Sequence, residues 1–143
     1  MEAKSNSPKD TEKIAQILAK SLKGGKIIAL FGDLGAGKTV FVKGLAEGLG
    51  IKKRITSPTF VFIKSYPVKI GSKPLIFHHL DLYRASSNAD LQSLGLEEVF
   101  SQNSIVVVEW ANKIYWDLPK KRIDVKIEKV NAQKRRIEID RRV

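Results

Sequence analysis

The amino-acid sequence predicts an α/β fold: a mainly parallel β-sheet flanked by helices and closed by a C-terminal β-hairpin. Three observations predict it. Two compact apolar runs, Ile27–Phe31 and Ile105–Val108, have the length and composition of strands buried on both faces. The first leads into a glycine-rich loop and then a helical pattern, the order that opens an α/β sheet. The tail RIDVKIEKV-NAQK-RRIEIDRRV alternates on both sides of a polar turn, as a hairpin does.

The elements follow in order. Ser7, Pro8 and Asp10 supply a helix cap, a first-turn proline and a first-turn acid. Ile14, Ile17, Leu18 and Leu22 then fall at helical spacing, and Gly24-Gly25 ends the run. After the strand and loop, a second helix is expected from about Lys38 to Leu49, stopping at Gly50. Residues 60–66 alternate and are rich in β-formers, VKIGSKP reads as a turn, and Leu75–Leu80 returns as a strand. NADLQSLGLEEVF, residues 88–100, reads as a short helix broken at Gly95.

With 143 residues the chain has room for one core, so residues 1–143 are expected to form a single domain. Hydrophobic residues make up 43% and charged residues 29%, a folded rather than a disordered composition. No apolar run approaches the ~20 residues of a membrane span, and the N-terminal stretch has no apolar core of a signal peptide. Cysteine is absent, which excludes disulfides and thiolate metal sites. A cytoplasmic location is the expectation. The net charge of +11, concentrated toward the C-terminus in Lys120–Arg122, Lys134–Arg136 and Arg141-Arg142, fits either a lysine-rich surface or a polyanionic partner. Charge alone does not choose among RNA, an acidic protein and solvent.

Gly32-Asp33-Leu34-Gly35-Ala36-Gly37-Lys38-Thr39 matches G-x-x-x-x-G-K-[ST] in full. Its glycines let successive N–H groups converge on an anion, and the helix that follows adds its N-terminal dipole. Lys38 is expected to reach the β- and γ-phosphates and Thr39 to ligate Mg²⁺. The fold class narrows accordingly to a P-loop NTPase-like sheet. Such a site needs an acid at the end of a neighbouring buried strand, and Glu109 closes the run Ile105–Val108. Trp110, beside it, is read as core. No N-K-x-D motif is present, since Asn112-Lys113-Ile114 is followed by Tyr115, so guanine specificity is not expected. The chain has little length for a kinase lid.

Two further strings lie where a nucleotide site would use them. Ser57-Pro58-Thr59-Phe60 places hydroxyls beside a stiff turn ahead of a strand, and His79-Leu80-Asp81-Leu82-Tyr83-Arg84 places an acid at a strand end. With GDLGAGKT before them and Glu109-Trp110 after, the chain resembles the TsaE (YjeE) family, the ATPases of bacterial tRNA threonylcarbamoyladenosine synthesis. The resemblance runs from about Thr11 to the final hairpin.

That resemblance implies ATP and Mg²⁺ as ligands. Gly35, Ala36, Gly37, Lys38 and Thr39 would bind phosphates, and Thr39 and Glu109 would ligate the metal. Thr59 would be a switch threonine, and Asp81 would lie near the γ-phosphate, positioning water or coupling hydrolysis to a partner, so that Lys38, Thr59, Asp81 and Glu109 form the catalytic set. Thr11 would lie near the nucleotide, and Arg135 or Arg136, with Arg136 the choice, would approach the adenine. His79 matches the family motif, whereas His78 is an ordinary strand residue. Val40 stands where the family often has a second threonine, and Ala111 where a proline often follows the Glu-Trp pair. No arginine finger is evident in the phosphate-binding motifs, and for Arg84 a salt bridge is the expected role. Weak ATP hydrolysis alone, faster in a complex with TsaD and TsaB, is therefore expected, with tRNA reached directly or through that complex. The alternatives are a small-molecule kinase and a non-catalytic ATP-bound switch.

Overall fold

The computed structural model describes residues 1–58 and 61–143. Its elements are β1 (Glu2–Ser5), α1 (Pro8–Ala19), β2 (Ile27–Phe31), α2 (Lys38–Gly48), β3 (Ile63–Ile70), β4 (Lys73–Asp81), α3 (Asn88–Gln92), α4 (Leu96–Val99), β5 (Ser104–Glu109), a 3₁₀ segment (Ala111–Asp117), β6 (Arg122–Lys129) and β7 (Arg135–Arg142). The strands form one sheet in the order β1-β7-β6-β2-β5-β4-β3. Its centre, β6-β2-β5-β4, is parallel, and β3, β7 and β1 are added antiparallel at the edges.

Side chains in a strand alternate between faces, and the core divides accordingly. Ile28, Leu30, Phe77, Ile105 and Val107 pack with α1 and α2. Ile27, Ala29, Leu80, Val106 and Val108 pack with residues of α3, α4 and the 3₁₀ segment on the other side. Both apolar runs are buried on two faces, as their composition predicts.

Ser7 caps α1 through a hydrogen bond accepted from the Asp10 N–H at 3.1 Å, with Pro8 in the first turn. The helix faces differently from the expectation, for Ile17 is 68% exposed. The buried stripe runs instead through Thr11, Ala15, Leu18 and Ala19. The reason is a close seam with α2. A Cβ on Gly44 would lie 2.5 Å from the Glu12 carbonyl oxygen and 2.8 Å from the Ala15 Cβ. One on Gly48 would lie 2.6 Å from the Ala19 Cβ. Small residues four apart on both helices let the backbones approach, and larger apolar residues turn outward.

Other differences are local. β3 and β4 extend through most of the expected turn, leaving only Gly71 and Ser72 between them. Pro67 is tolerated because β3 is the sheet edge. Gly95, at φ 62°, separates α3 from α4 as expected. β1 is an unexpected strand, pairing Glu2–Ser5 with Arg135–Glu138 of β7.

Alanine normally gains about 1 kcal/mol over glycine inside a helix. At Gly44 the clash with backbone reverses that sign: Gly44→Ala is expected to lose about 1–3 kcal/mol in urea unfolding. A stabilised Gly44→Ala variant would show that the seam is not tightly closed.

Candidate functional site

The glycine loop joins β2 to α2 at the carboxyl edge of the parallel strands, where open α/β sheets bind ligands. Gly32 is required by a close approach, because a Cβ there would lie 2.6 Å from the Ile127 carbonyl oxygen of β6. Gly37, at φ 101°, is the N-cap of α2 and offers no side-chain cap. The first N–H groups of α2 therefore have no side-chain acceptor at the cap, the condition that suits a helix start to an anion.

Lys38 is 5% exposed and lies along the loop. Its Nζ donates to the Gly32 and Asp33 carbonyl oxygens at 2.6 and 2.9 Å and sits 4.2 Å from the Trp110 ring centre. Burial pushes its pKa below the ordinary lysine value, against the pull of Glu109, Asp81 and Asp33. Burial leaves this cation poorly hydrated, which favours contact with an anion, while the neighbouring carboxylates favour its charged form.

The acids are placed by register. Leu30 of β2 lies beside Glu109 of β5, and Glu109 beside Asp81 of β4. By alternation His79, Asp81 and Glu109 share the face of Phe77 and Val107, the one that carries α2. There Thr39 Oγ1 donates to Glu109 Oε1 at 3.0 Å. His79 lies 2.6 Å from Glu109 Oε2 through Nε2, and a carboxylate can only accept, so that nitrogen carries the hydrogen. The other ring nitrogen, Nδ1, has no hydrogen-bond partner among the described residues. Glu109 is 2% exposed and both its oxygens are engaged.

Asp81 is half-buried and also held at both oxygens. Ser57 Oγ donates to Oδ2 at 2.9 Å, and the Tyr83 N–H donates to Oδ1 at 3.1 Å. Thr59, the expected switch residue, lies outside the described residues. Ser57, two residues before it, is the described residue that reaches Asp81. His78 hydrogen-bonds Ser65 across the β3–β4 pair at 2.7 Å, away from the acids.

Lys38, Thr39, Ser57, Asp81 and Glu109 line a cleft of about 490 Å³ that also includes Leu34, Trp110, Tyr83, Arg84 and Arg135. Trp110 packs against the core, as expected, and is also a wall of this cleft: it adopts a left-handed φ of 58°, packs on Tyr83 with ring centres 5.1 Å apart, and covers Lys38. Strained backbone of this kind is retained where the surroundings over-determine it.

The arginine that reaches the loop is Arg135, and Arg136 does not. Arg136 lies on the opposite side of β7 and pairs with Glu2 and Glu128 at 3.5 and 3.3 Å. Arg135 Nε donates to the Ala36 carbonyl at 2.9 Å and Nη2 to that of Gly35 at 3.3 Å. Its Nη1 is tied to the Asn131 and Lys134 carbonyls at 2.8 and 3.0 Å, so one guanidinium clamps the glycine loop to the β6–β7 turn. A planar trans peptide points its C=O and N–H in opposite directions. The clamp on Ala36 therefore also fixes the direction of the Gly37 N–H. A second hollow of about 260 Å³ lies behind Arg135, lined by Thr11, Ser7, Ala36, Val40 and Gln133. Thr11 is buried there, hydrogen-bonded to Ser5 of β1 at 2.7 Å.

The hard oxygens of Thr39 and Glu109 suit Mg²⁺, which is held by one or two protein oxygens while phosphates and water complete its shell. No cage of three or more His, Asp or Glu side chains forms among the described residues, as that mode of binding requires none.

The family model described as "Threonylcarbamoyl adenosine biosynthesis protein TsaE" matches residues 5–137. The protein of Bacillus subtilis (strain 168) named tRNA threonylcarbamoyladenosine biosynthesis protein TsaE is 42% identical over 131 residues, covering 92% of this chain and 79% of its own. Its namesake in Treponema pallidum (strain Nichols) is 35% identical over 127 residues, with 89% and 90% covered. The crystal structure of Bacillus YdiB superposes with a TM-score of 0.82 at 36% identity, covering 100% of this chain and 86% of that one.

Removing Glu109 strands the buried His79 ring with no acceptor for Nε2. Glu109→Ala is expected to lose about 1–3 kcal/mol of stability in urea unfolding, and Glu109→Gln less, since it keeps an acceptor. An alanine variant as stable as the parent would mean that the pair contributes nothing to the fold.

Proposed function

The chain belongs to the TsaE family, and we propose from that premise that residues 1–143 form a single ATPase domain that binds Mg-ATP and hydrolyses it in support of threonylcarbamoyladenosine formation on tRNA. The observation that carries the reading is the convergence of Lys38, Thr39, Asp81 and Glu109 on the α2 face at the carboxyl edge of β2, β4 and β5. Each residue takes one part. The N–H groups of Gly35–Thr39 and the Lys38 ammonium hold the phosphates. Thr39 and Glu109 would hold Mg²⁺, whose charge would offset that of the phosphate oxygens. Asp81, oriented by Ser57 and the Tyr83 N–H, positions the attacking water. Thr59, two residues beyond Ser57, senses the γ-phosphate. Arg135 and the Thr11 hollow accept the adenosine side.

Hydrolysis is slow in the isolated chain. Arginine fingers contribute about 10³–10⁵ in rate by neutralising transition-state charge. Arg135 is committed to backbone carbonyls. Arg84 lines the cleft but also makes other interactions. A complex containing TsaD and TsaB, acting on tRNA in the cytoplasm, supplies the missing acceleration. Leu34 and Tyr83 on the cleft rim are 70% and 46% exposed, apolar surface that suits such a docking.

Asp81→Asn is expected to bind ATP within about threefold of the parent while releasing phosphate about 100-fold more slowly. Parent-like phosphate release would remove Asp81 from the chemistry. A phosphorylated small molecule formed in place of free phosphate would establish a kinase.

A further inference from the structure

A second cleft, of about 510 Å³, lies at the other edge of the sheet. β2 and β6 run parallel and begin there, and β7 ends there, with Ile123 beside Arg141 and Arg122 beside Arg142. Three separate stretches thus bring Lys26, Lys121, Arg122, Arg141 and Arg142 to one opening, and among the described residues no Asp or Glu lines it. The nucleotide cleft differs: there Lys38, Arg84 and Arg135 are matched by Asp81 and Glu109.

The positive charge is held in place. Arg122, more than nine-tenths buried, donates from Nε to Asp124 Oδ1 at 2.7 Å, from Nη2 to Oδ2 at 3.4 Å, and from Nη1 to the Pro119 carbonyl at 3.1 Å. Arg142 Nη1 shares the same carboxylate at 3.3 Å. One buried aspartate therefore orders two guanidinium groups and neutralises only one. Arg141 donates to Ser21 Oγ at 3.4 Å. Neither Arg141 nor Lys26 nor Lys121 forms an ion pair among the described residues. The floor is backbone: a Cβ at Gly24 would clash with the Gln102 carbonyl oxygen. Exposed Lys20, Lys23 and Lys120 continue the charge in the adjoining chain.

We propose that this basic cleft is a docking surface for the phosphate backbone of RNA. Cations spread over an opening fit successive phosphates, and the binding they give is independent of base sequence. An acidic protein partner would need an apolar centre to anchor it. Among the described residues the large apolar side chains of the lining are Ile27, Phe100, Ile123 and Val143, and Ile27 and Ile123 belong to the buried core. Five residues of β2 separate the two clefts, roughly 16 Å, so bound RNA leaves the nucleotide cleft open. The choice of RNA over other polyanions rests on the proposed role in tRNA modification, whereas the charged surface itself does not.

The test is fluorescence anisotropy of labelled tRNA across a salt series. Lys121→Glu/Arg141→Glu is expected to weaken binding about tenfold or more and to lower the log–log salt slope by about 2, one for each lost phosphate contact. The same charge change at Lys52→Glu/Lys53→Glu is expected to leave the slope near that of the parent. Mg-ATP affinity, measured in parallel, should be unchanged in both variants, so loss of ATP binding would indict the nucleotide site and not this one. Three results would overturn the proposal: no RNA binding by the parent at low salt, equal loss in both variants, or displacement of RNA by polyglutamate as readily as by unlabelled RNA. The last would identify an acidic protein as the partner.

Discussion

The site depends on one buried carboxylate. Glu109 is taken out of water at the end of β5, and a lone carboxylate there is costly unless its oxygens are hydrogen-bonded. Thr39 and His79 meet that demand from two different elements. To do so, the start of α2, the end of β4 and the end of β5 must arrive at one height. The parallel register of the central strands delivers this, setting Leu30, Glu109 and Asp81 side by side. Because side chains alternate, the same register sends His79, Asp81 and Glu109 to the α2 face while Leu80 and Val108 fill the other core.

Two further constraints aim the loop at those acids. The glycine–alanine seam seats α2 closely on α1, which sets where its N-terminus points. Arg135 then fixes the loop from outside, through carbonyls on the glycine loop and on the β6–β7 turn. The C-terminal hairpin is therefore part of the candidate site as well as the end of the sheet. Its other strand end, with Arg141 and Arg142, builds the basic cleft at the far edge.

Much of this is legible in the sequence where local pattern and tertiary role coincide. Ile27–Phe31 and Ile105–Val108 are apolar enough to be strands in any context, and the glycine loop specifies its own backbone. The misses have tertiary causes. β1 has no alternating pattern and exists because β7 presents an open edge to Glu2–Ser5. Ile17 is apolar yet exposed because alanine and glycine, weak hydrophobic signals, make the real helix contact. Arg135 and Arg136 differ only in the side of β7 they occupy, which depends on register. Trp110 packs against the core as its composition predicts, and its left-handed backbone also turns it over Lys38. His79 was recoverable, since it has the parity of Phe77 and Asp81 and so must face the loop.

The most direct measurement is calorimetric titration of ATP with and without Mg²⁺, in the parent and in Thr39→Ala. The account predicts that Mg²⁺ tightens ATP binding to the parent and that this gain is largely lost in Thr39→Ala, while metal-free ATP binds both alike through the loop and Lys38. An equal Mg²⁺ gain in both proteins would contradict it, because the metal would then be held somewhere other than between Thr39 and Glu109.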